Sequence, residues 1–502
     1  MDNKNQEKLT GIRKLLFPVY KSEFKKVIPM GMIYLGLIFV YTLTRLSKDM
    51  FMMSIGDAEV LSAAKVIVSF FAIAAAVLYG KISHRFSTNS AFIICLIPFL
   101  LFFTFFGIAS NYTHIFHMSP STSNYLISKF PYLKLLILSF GNWMYLFYYI
   151  FSELFASIII TASFWQFANS YTSFEEKKRF YPFYSGLCAQ VSTYLAGEIF
   201  IYIGSLIKNT NNKFFCSLIS SGSIFVGGVI SLVSILYIGR SVSSINSSSN
   251  KSQKKNKSMG IKEIFHHLKE HPNVILASLL VVFYGICASS MELFWKKQVS
   301  KIYPVSTGEY AMFMGRYQKC IAGASILMGF LATHILKSFS WLFCAMVTPA
   351  IALISSFFLF GLVVLQKPIM LLGIFSGYNM IKISVIVGFI GLVFYKIVKY
   401  NFYDVTSEMY FGIQPQKEAQ YAKVLQSIFS RPSKGIMNIL FFILLSTPNV
   451  TVDSLSFFSW PICVIFCIIW IYVILRMNEE IILVEEQQKI KKENESNEDI
   501  KK

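Results

Sequence analysis

Long apolar stretches separated by short polar ones recur along the whole chain. A helix needs about 20 mostly apolar residues to cross about 30 Å of hydrocarbon. Twelve stretches meet this requirement, and we expect each to be a spanning helix. The first six lie at 27–46, 59–79, 91–109, 133–157, 183–207 and 215–238. The second six lie at 273–294, 314–335, 340–364, 369–394, 422–446 and 455–475. Porin-like strands would be about ten residues long and would alternate with polar positions, which these do not. The pattern predicts an all-α polytopic membrane protein.

The apolar pattern stops once near the middle of the chain, where a Ser/Asn/Lys-rich stretch has the composition of a linker. Six spans on either side of a linker are typical of a two-bundle transporter. We therefore predict five segments, which are a cytoplasmic N-terminal segment, an N-terminal six-helix bundle, a basic cytoplasmic linker, a C-terminal six-helix bundle and a charged cytoplasmic tail. Their predicted limits are 1–26, 27–238, 239–272, 273–475 and 476–502.

The composition supports a membrane protein and explains most of the positive charge. Of 502 residues, 55% are hydrophobic and 14% are charged, whereas soluble proteins have about 25% charged residues. This excludes a soluble enzyme, a disordered scaffold and a disulfide-rich secreted domain. The formal net charge is +20. Lys and Arg are roughly three times as frequent in the loops that share a side with both termini, which predicts that the termini are cytoplasmic. The charge therefore does not indicate a nucleic-acid partner.

Several charged residues fall inside the predicted spans, where a cation costs about 2.5–3.5 kcal/mol. Lys382 lies deep in a span, and Arg316 and Lys319 lie one turn apart beside small residues that suit a cavity wall. The intramembrane carboxylates are Glu153, Glu198 and Glu292. For Lys382, Glu153 and Glu292 we expect a role in the transport pathway, the alternative being a structural ion pair. Other cations, near span ends, can reach the membrane surface by snorkelling; these are Lys65, Lys134 and Lys423. Because cations outnumber carboxylates, we expect an anionic substrate such as a phosphorylated metabolite or nucleotide.

The sequence offers little chemistry for a cofactor, a metal or an enzyme. Cys463 and Cys467 lie one turn apart without a nearby His or carboxylate, and His114 and His117 form an isolated HxxH in a loop. There is no GxxxxGK[ST] phosphate loop for an ATP-hydrolysing pump. We predict no cofactor, no metal and no enzymatic activity, the alternative being a membrane-embedded transferase.

Several blocks of the sequence resemble the ATP:ADP antiporters of plastids and obligate intracellular bacteria. The blocks are RLSKDMF, SELFASIIITASFWQFANSYTSFEEKKRFYPFYSGL, MELFWKK, KYNFYDVTSEM and SRPSKG. The resemblance runs from about residue 10 to 475, and the long FWQFAN…KRFY block is its most specific part. It implies twelve helices in a major-facilitator-like fold that exchanges ATP for ADP, with phosphate, without hydrolysis. The implied partners are these nucleotides and the lipid bilayer, with no nucleic acid and no obligate protein partner.

The resemblance also implies site residues. The family's four important charged positions fall on Lys48, Glu153, Glu292 and Lys434, and Arg431 lies near the last of these. By resemblance the lysines would contact phosphates, and the glutamates would gate the carrier or balance its charge.

Two departures from the family pattern leave the substrate open. Ser407 stands where the family has a lysine, and Arg316 and Lys319 add charge where relatives are usually neutral. The alternatives are another nucleotide, proton-coupled nucleotide import and NAD exchange.

An aromatic group around the fourth span has two interpretations. These rings could stack on a purine, or they could belong to the aromatic belt at the membrane surface. They are Trp143, Tyr145, Tyr148, Tyr149 and Trp165.

The abundance of Lys, Asn, Ile and Phe suggests an AT-rich genome. We therefore expect a multi-pass protein in the inner membrane of an intracellular bacterium, rather than a plastid protein with a Ser/Arg-rich transit segment.

Overall fold

The computed structural model of this chain describes residues 19–20, 23–210, 212–242, 272–365, 377–413 and 437–501. Every regular element within these ranges is a helix. Ten stretches of the described chain are long and apolar enough to cross a membrane. The first of them, Phe24–Arg85, contains two helices and so covers two predicted spans. The predicted span 422–446 and the linker lie mostly outside the described residues. The all-α polytopic prediction is confirmed.

The chain divides into two compact units. The first unit comprises Met1–Lys255, Val299–Ile326 and Leu445–Asn449, and the second comprises Asn256–Gln298, Leu327–Leu444 and Val450–Lys502. The limits predicted for the two bundles stay predictions.

The helices of the first half of the chain are numbered as follows. They are α1 (Phe24–Gly56), α2 (Val60–Arg85), α3 (Thr88–Ala109), α4 (Pro120–Lys129), α5 (Lys134–Gly141), α6 (Trp143–Tyr171), α7 (Phe174–Pro182), α8 (Ala189–Thr210) and α9 (Lys213–Ser241). A 3₁₀ turn, Asp57–Glu59, joins α1 to α2. Two π-helical segments occur, Ala156–Phe164 inside α6 and Phe183–Cys188 between α7 and α8.

The second half contains fewer described helices. They are α10 (Pro272–Ile302), α11 (Glu309–Ser338), α12 (Trp341–Val364), α13 (Gly377–Val398), α14 (Asp404–Ile413) and α15 (Val452–Lys501). A third π-helical segment, Lys399–Tyr403, joins α13 to α14. Residues 437–445 are also helical.

Large apolar side chains on the outer faces of the helices fit a lipid environment. Phe70 is 70% exposed, Phe105 is 67% exposed and Phe457 is 66% exposed. In water such surfaces would aggregate, but in a bilayer they contact acyl chains while the helix satisfies its own backbone hydrogen bonds. The outward-facing phenylalanines are therefore best explained by contact with lipid.

The predicted span 133–157 is two helices rather than one. The backbone leaves the helical region at Asn142, between α5 and α6. The Asn142 side-chain amide donates a hydrogen bond to the carbonyl oxygen of Leu138 at 2.8 Å, which satisfies a carbonyl at the end of α5. The new helix then runs on to Tyr171, beyond the predicted limit of 157.

The amino-terminal end of α1 is tied to α7 by two ion pairs. Lys26 lies 2.6 Å from Glu176, and Arg179 lies 2.6 Å from Glu23. Burial alone would raise the pKa of Glu176, but hydrogen bonds from Lys26 and from the Ser173 backbone outweigh it and hold this pKa below its ordinary value. The Glu176 carboxylate is therefore charged at neutral pH and holds α7 against α1.

Helix α1 packs most closely against α9, where glycines let the backbones approach. A Cβ atom added to Gly36 would lie 2.5 Å from the carbonyl oxygen of Gly227 and would also collide with the Ser231 hydroxyl. That hydroxyl donates to the carbonyl oxygen of Ile33, 3.2 Å away on α1. Small residues at such contacts provide the packing that associates membrane helices.

We predict that Gly36→Ala destabilises the protein by about 1–3 kcal/mol, because the α9 backbone must move away from the new methyl group. Gly222→Ala in α9 is the matched control, since a Cβ there meets nothing within 4 Å. We expect it to be neutral or to stabilise by up to about 1 kcal/mol through helix propensity. Unfolding of the purified protein in detergent measures both, and equal effects of the two changes would refute this account of the contact.

Candidate functional site

Lys48 is a buried cation surrounded by acidic and aromatic groups of the first unit. It lies about two turns before the end of α1, and only 4% of its side chain is exposed. Its ammonium lies 2.7 Å from the Glu153 carboxylate and 3.4 Å from Asp49. It also lies 3.6 Å from the centre of the Tyr149 ring. Tyr149 and Glu153 are four residues apart, so one face of α6 presents both to the lysine.

These partners explain how a charge is tolerated inside a spanning helix. A buried ammonium must be paired or solvated, because desolvation otherwise costs several kcal/mol. Lys48 has two carboxylates and the negative face of an aromatic ring within reach. Glu153 is less buried, with 37% of its side chain exposed. An anion that reached this place would compete with Glu153 for the same ammonium.

Glu292 is the centre of a second charged cluster, which belongs to the second unit. Its carboxylate lies 2.9 Å from Lys296, one turn later on α10, and 3.8 Å from Lys396 near the end of α13. Both lysine side chains are largely buried, with 5% and 13% exposed. The Trp295 indole donates a hydrogen bond to the carbonyl oxygen of Val385 at 3.0 Å, which fixes α10 against α13. This cluster places two cations around one carboxylate.

Aromatic rings pack together beside Glu292. Tyr284 lies two turns before Glu292 on α10, and its partners lie on α13 and in the segment that follows it. Tyr284 stacks on Tyr395 at 5.1 Å between ring centres and on Tyr403 at 5.5 Å. Lys399, in the π-helical segment after α13, pairs with Asp404 at 2.9 Å. The region around Glu292 is therefore packed on one side by rings and carries further charge beyond them.

Lys319 pairs with Glu198 where two helices of the first unit cross closely. Gly197 of α8 and Gly315 of α11 contact each other, and a Cβ on Gly197 would lie 2.8 Å from the Gly315 carbonyl oxygen. The Lys319 ammonium donates a hydrogen bond to the Glu198 carboxylate beside this crossing and lies 4.9 Å from the Tyr194 ring. Two intramembrane charges predicted separately are thus brought together.

The other predicted site cations differ in their surroundings. Arg316 and Lys382 are both exposed, on α11 and α13 respectively. Arg431 and Lys434 lie outside the described residues. The roles predicted for these four residues, and for Lys48, Glu153, Glu292 and Lys319, stay predictions.

The aromatic group around α6 is mostly occupied by protein contacts. Tyr145 stacks on Phe51 at 5.1 Å, and the face of Tyr149 holds Lys48. Trp143 is 41% exposed, and its indole donates to the carbonyl oxygen of Phe116. Unlike Tyr145 and Tyr149, Trp143 has an exposed position that fits an aromatic belt at the membrane surface.

Three charged partners were missed at the sequence level. The predicted span 369–394 stops before Lys396, whereas α13 continues to Val398. The predicted span 273–294 likewise stops before Lys296, although α10 continues to Ile302. Asp49, next to Lys48 in the chain, is not among the predicted site residues. The four-residue spacing of Glu292 and Lys296 was a usable signal, since such residues share a helix face.

No group of three His, Cys, Asp or Glu side chains suited to a metal occurs in the described ranges. The sulfur of Cys467 lies 3.8 Å from the sulfur of Cys287, and both cysteines are buried in the second unit.

Comparison with solved structures identifies the fold. The structure is similar to that of a D-xylose-proton symporter, with a TM-score of 0.59, 12% identity, and coverage of 89% of this chain and 96% of that chain. Its structural neighbours are major-facilitator-like transporters. The predicted major-facilitator-like fold is confirmed, and this chain has the fold of a polytopic membrane transporter.

The sequence identifies the family. The model of the TLC ATP/ADP transporter family matches residues 2–481, and the chain belongs to this family. It is 28% identical over 495 residues to ADP,ATP carrier protein 3 of Rickettsia bellii (strain RML369-C), covering 93% of this chain and 97% of that protein. It is also 28% identical over 496 residues to ADP,ATP carrier protein 4 of Rickettsia felis, covering 95% of this chain and 96% of that protein. The resemblance seen in the sequence is confirmed, and these relatives are carriers.

We predict a strong energetic coupling between Lys48 and Glu153. In a double-mutant cycle with Lys48→Met and Glu153→Gln, we expect a coupling energy of about 1–3 kcal/mol, because each single change removes a 2.7 Å ion pair that includes a buried ammonium. Lys208 and Glu309 form the control pair, 2.9 Å apart with 53% and 31% of their side chains exposed. Their coupling should be below about 1 kcal/mol. Unfolding in detergent gives both values, and a coupling at Lys48 no larger than the control would contradict the prediction.

Proposed function

We propose that this protein exchanges ATP for ADP across a membrane, with phosphate accompanying ADP, by alternating access. The observation that carries the proposal is the family match, which extends over residues 2–481. The relatives named ADP,ATP carrier proteins cover nearly the whole of this chain. The proposal treats the protein as a carrier that releases its substrate unchanged, and not as an enzyme.

The chemistry of Lys48 supports an anionic substrate. An ammonium held by carboxylates inside a span is a site where phosphate oxygens compete on equal terms, since both are charged hydrogen-bond acceptors. In the proposal a phosphate of the entering nucleotide takes over Lys48 from Glu153. Glu153, the more exposed of the two side chains, is the partner that then moves aside. Lys434 and Arg431 would supply further phosphate contacts, as the family resemblance implies.

The excess of cations in the proposed site gives a reason for obligate exchange. Without substrate, Glu153 neutralises Lys48, but the other lysines proposed for the site keep its net charge positive. With substrate, the bound polyanion offsets that charge and lowers the cost of moving the site across the membrane. A carrier of this kind returns efficiently only when it is loaded. Exchange of one nucleotide for another follows from that difference.

The proposal places the protein in the inner membrane of an intracellular bacterium, with both termini in the cytoplasm. The orientation follows from the excess of Lys and Arg in the loops on that side. The location follows from the composition and is supported by the Rickettsia relatives. In this setting the carrier would import ATP from a host.

We predict that cells expressing the full chain take up labelled ATP, and that ADP competes best in a panel of nucleotides. Lys48→Glu should reduce uptake at least tenfold, because removing a charged hydrogen bond to substrate costs about 1.5–3 kcal/mol and the reversed charge repels phosphate. Lys129→Glu is the control, since Lys129 is exposed on the short helix α4. It should leave uptake unchanged.

Undiminished uptake by Lys48→Glu would exclude the role proposed for this lysine. Preferential competition by another nucleotide, or by NAD, would replace the ATP/ADP assignment with that substrate. Recovery of a chemically altered product from proteoliposomes would indicate an enzyme.

We also predict that exchange of external ATP for internal ADP and phosphate responds little to membrane potential. ATP carries about one more negative charge than ADP, and moving one charge across 100 mV costs about 2.3 kcal/mol. A phosphate that leaves with ADP cancels the difference. Proteoliposomes clamped with valinomycin and potassium gradients measure this, with ADP alone inside as the matched control. A strong voltage dependence in the presence of internal phosphate would contradict electroneutral exchange.

A further inference from the structure

Each unit contains a π-helical segment that begins shortly after a charged residue. The π-helical segment of α6 begins at Ala156, and the one that follows α13 begins at Lys399, a shift of 243 residues. Helices rarely contain such segments, and those that occur are frequently found at functional sites. Glu153 lies three residues before the first segment, and Lys396 lies three residues before the second. The same shift of 243 therefore relates these two charged residues.

The partners of these two residues repeat as well. Glu153 pairs with Lys48 on α1, and Lys396 pairs with Glu292 on α10. Lys48 and Glu292 are separated by 244 residues. Each unit thus has an ion pair between its first long helix and the helix that leads into a π-helical segment. The signs are exchanged, because the cation is on α1 in the first unit but on α13 in the second.

The second pair is the looser of the two. Lys396 lies 3.8 Å from the Glu292 carboxylate, whereas Lys48 lies 2.7 Å from Glu153. The oxygen that faces Lys396 also faces Lys296 at 2.9 Å. Two ammonium groups that share one oxygen repel each other in a poorly solvated site. A second anion beside Lys396 would relieve that repulsion.

The surroundings of Lys396 restrict what that anion can be. The lysine is largely buried, with 13% of its side chain exposed, and in the proposal an anion reaches it along the substrate pathway. Lysine binds phosphate as a point charge. Tyr395 next to it is fully packed against Tyr284. The position suits a phosphate group better than a base.

We propose that Lys396 is a nucleotide-positioning residue of the second unit, the charge-exchanged counterpart of Glu153, which passes from Glu292 to a phosphate of the bound nucleotide. The inference rests on the proposed function and adds a residue to it. Lys296, the closer partner, stays with Glu292 and keeps its carboxylate charged when Lys396 leaves. The unit thereby gains a phosphate contact without leaving a buried carboxylate unpaired.

Lys396→Gln in the full chain tests the proposal through nucleotide uptake. We expect the KM for ATP to rise about tenfold to hundredfold, because one charged hydrogen bond to substrate is lost. The ratio of the KM values for ATP and ADP should change too, since the two differ in their phosphate chains. A purely structural role would lower the amount of active protein and the maximal rate but would leave that ratio unchanged. Lys81→Gln is the control, since Lys81 is exposed near the end of α2, and its KM should match that of the unmodified chain.

Amine labelling of the unmodified protein provides a second test that depends on no variant. ATP should slow the labelling of Lys396, measured by peptide mass spectrometry, and leave the labelling of Lys81 unchanged. Suppose that the unmodified chain transports nucleotide. Equal labelling of Lys396 with and without ATP, or an unchanged KM in Lys396→Gln, would then overturn this inference but not the proposed function. If the unmodified chain takes up no labelled nucleotide, the proposed function fails and the inference fails with it.

Discussion

The structure of the first unit depends on the cost of holding the Lys48 ammonium inside a spanning helix. A cation at this depth costs about 2.5–3.5 kcal/mol or more unless it is paired. The pairing requires α6 to present Tyr149 and Glu153 in successive turns toward one point of α1. It also requires α1 to hold a fixed position, and the close contact of Gly36 with α9 contributes to this. Helix register, close packing and charge are therefore not independent features, because a slip of one residue along α6 would turn the carboxylate away.

The second unit meets the same constraint with the charges exchanged. Glu292, with 27% of its side chain exposed, is the carboxylate at the centre of the cluster on its first long helix, and its cations come from one turn later on α10 and from the end of α13. The π-helical segments that follow Glu153 and Lys396 widen the helix by one residue per turn. A side chain in the turn before such a segment is held by fewer regular backbone contacts than one in an uninterrupted helix. In the proposed mechanism, Glu153 and Lys396 are the residues that change partners during transport.

Most of the fold could be predicted from the sequence, because the bilayer imposes a simple rule of about 20 apolar residues per span. The rule does not predict where a helix breaks or ends when the polarity of the residues does not change there. The break at Asn142 is accompanied by one side-chain hydrogen bond, and α10 and α13 continue past the predicted span ends at 294 and 394, where Lys296 and Lys396 have partners inside the protein. For the site, Lys48, Glu153 and Glu292 were found from motifs and intramembrane charge. The pairing of Lys48 with Glu153 could not be deduced from spacing, since it joins residues 105 apart through the register of two separate helices.

The pairing of Lys319 removes one cation from those that can be assigned to the substrate. An excess of intramembrane cations indicates an anionic substrate, and Lys319 belongs to that excess. Its ammonium donates to the Glu198 carboxylate beside the crossing of Gly197 and Gly315, so this cation and this carboxylate balance each other locally. A charge introduced at a close helix crossing needs such a partner at once, whether or not it meets substrate. The case for a phosphate-bearing substrate therefore depends less on the number of buried cations than on Lys48 and Lys396, whose ion pairs each include the residue three positions before a π-helical segment.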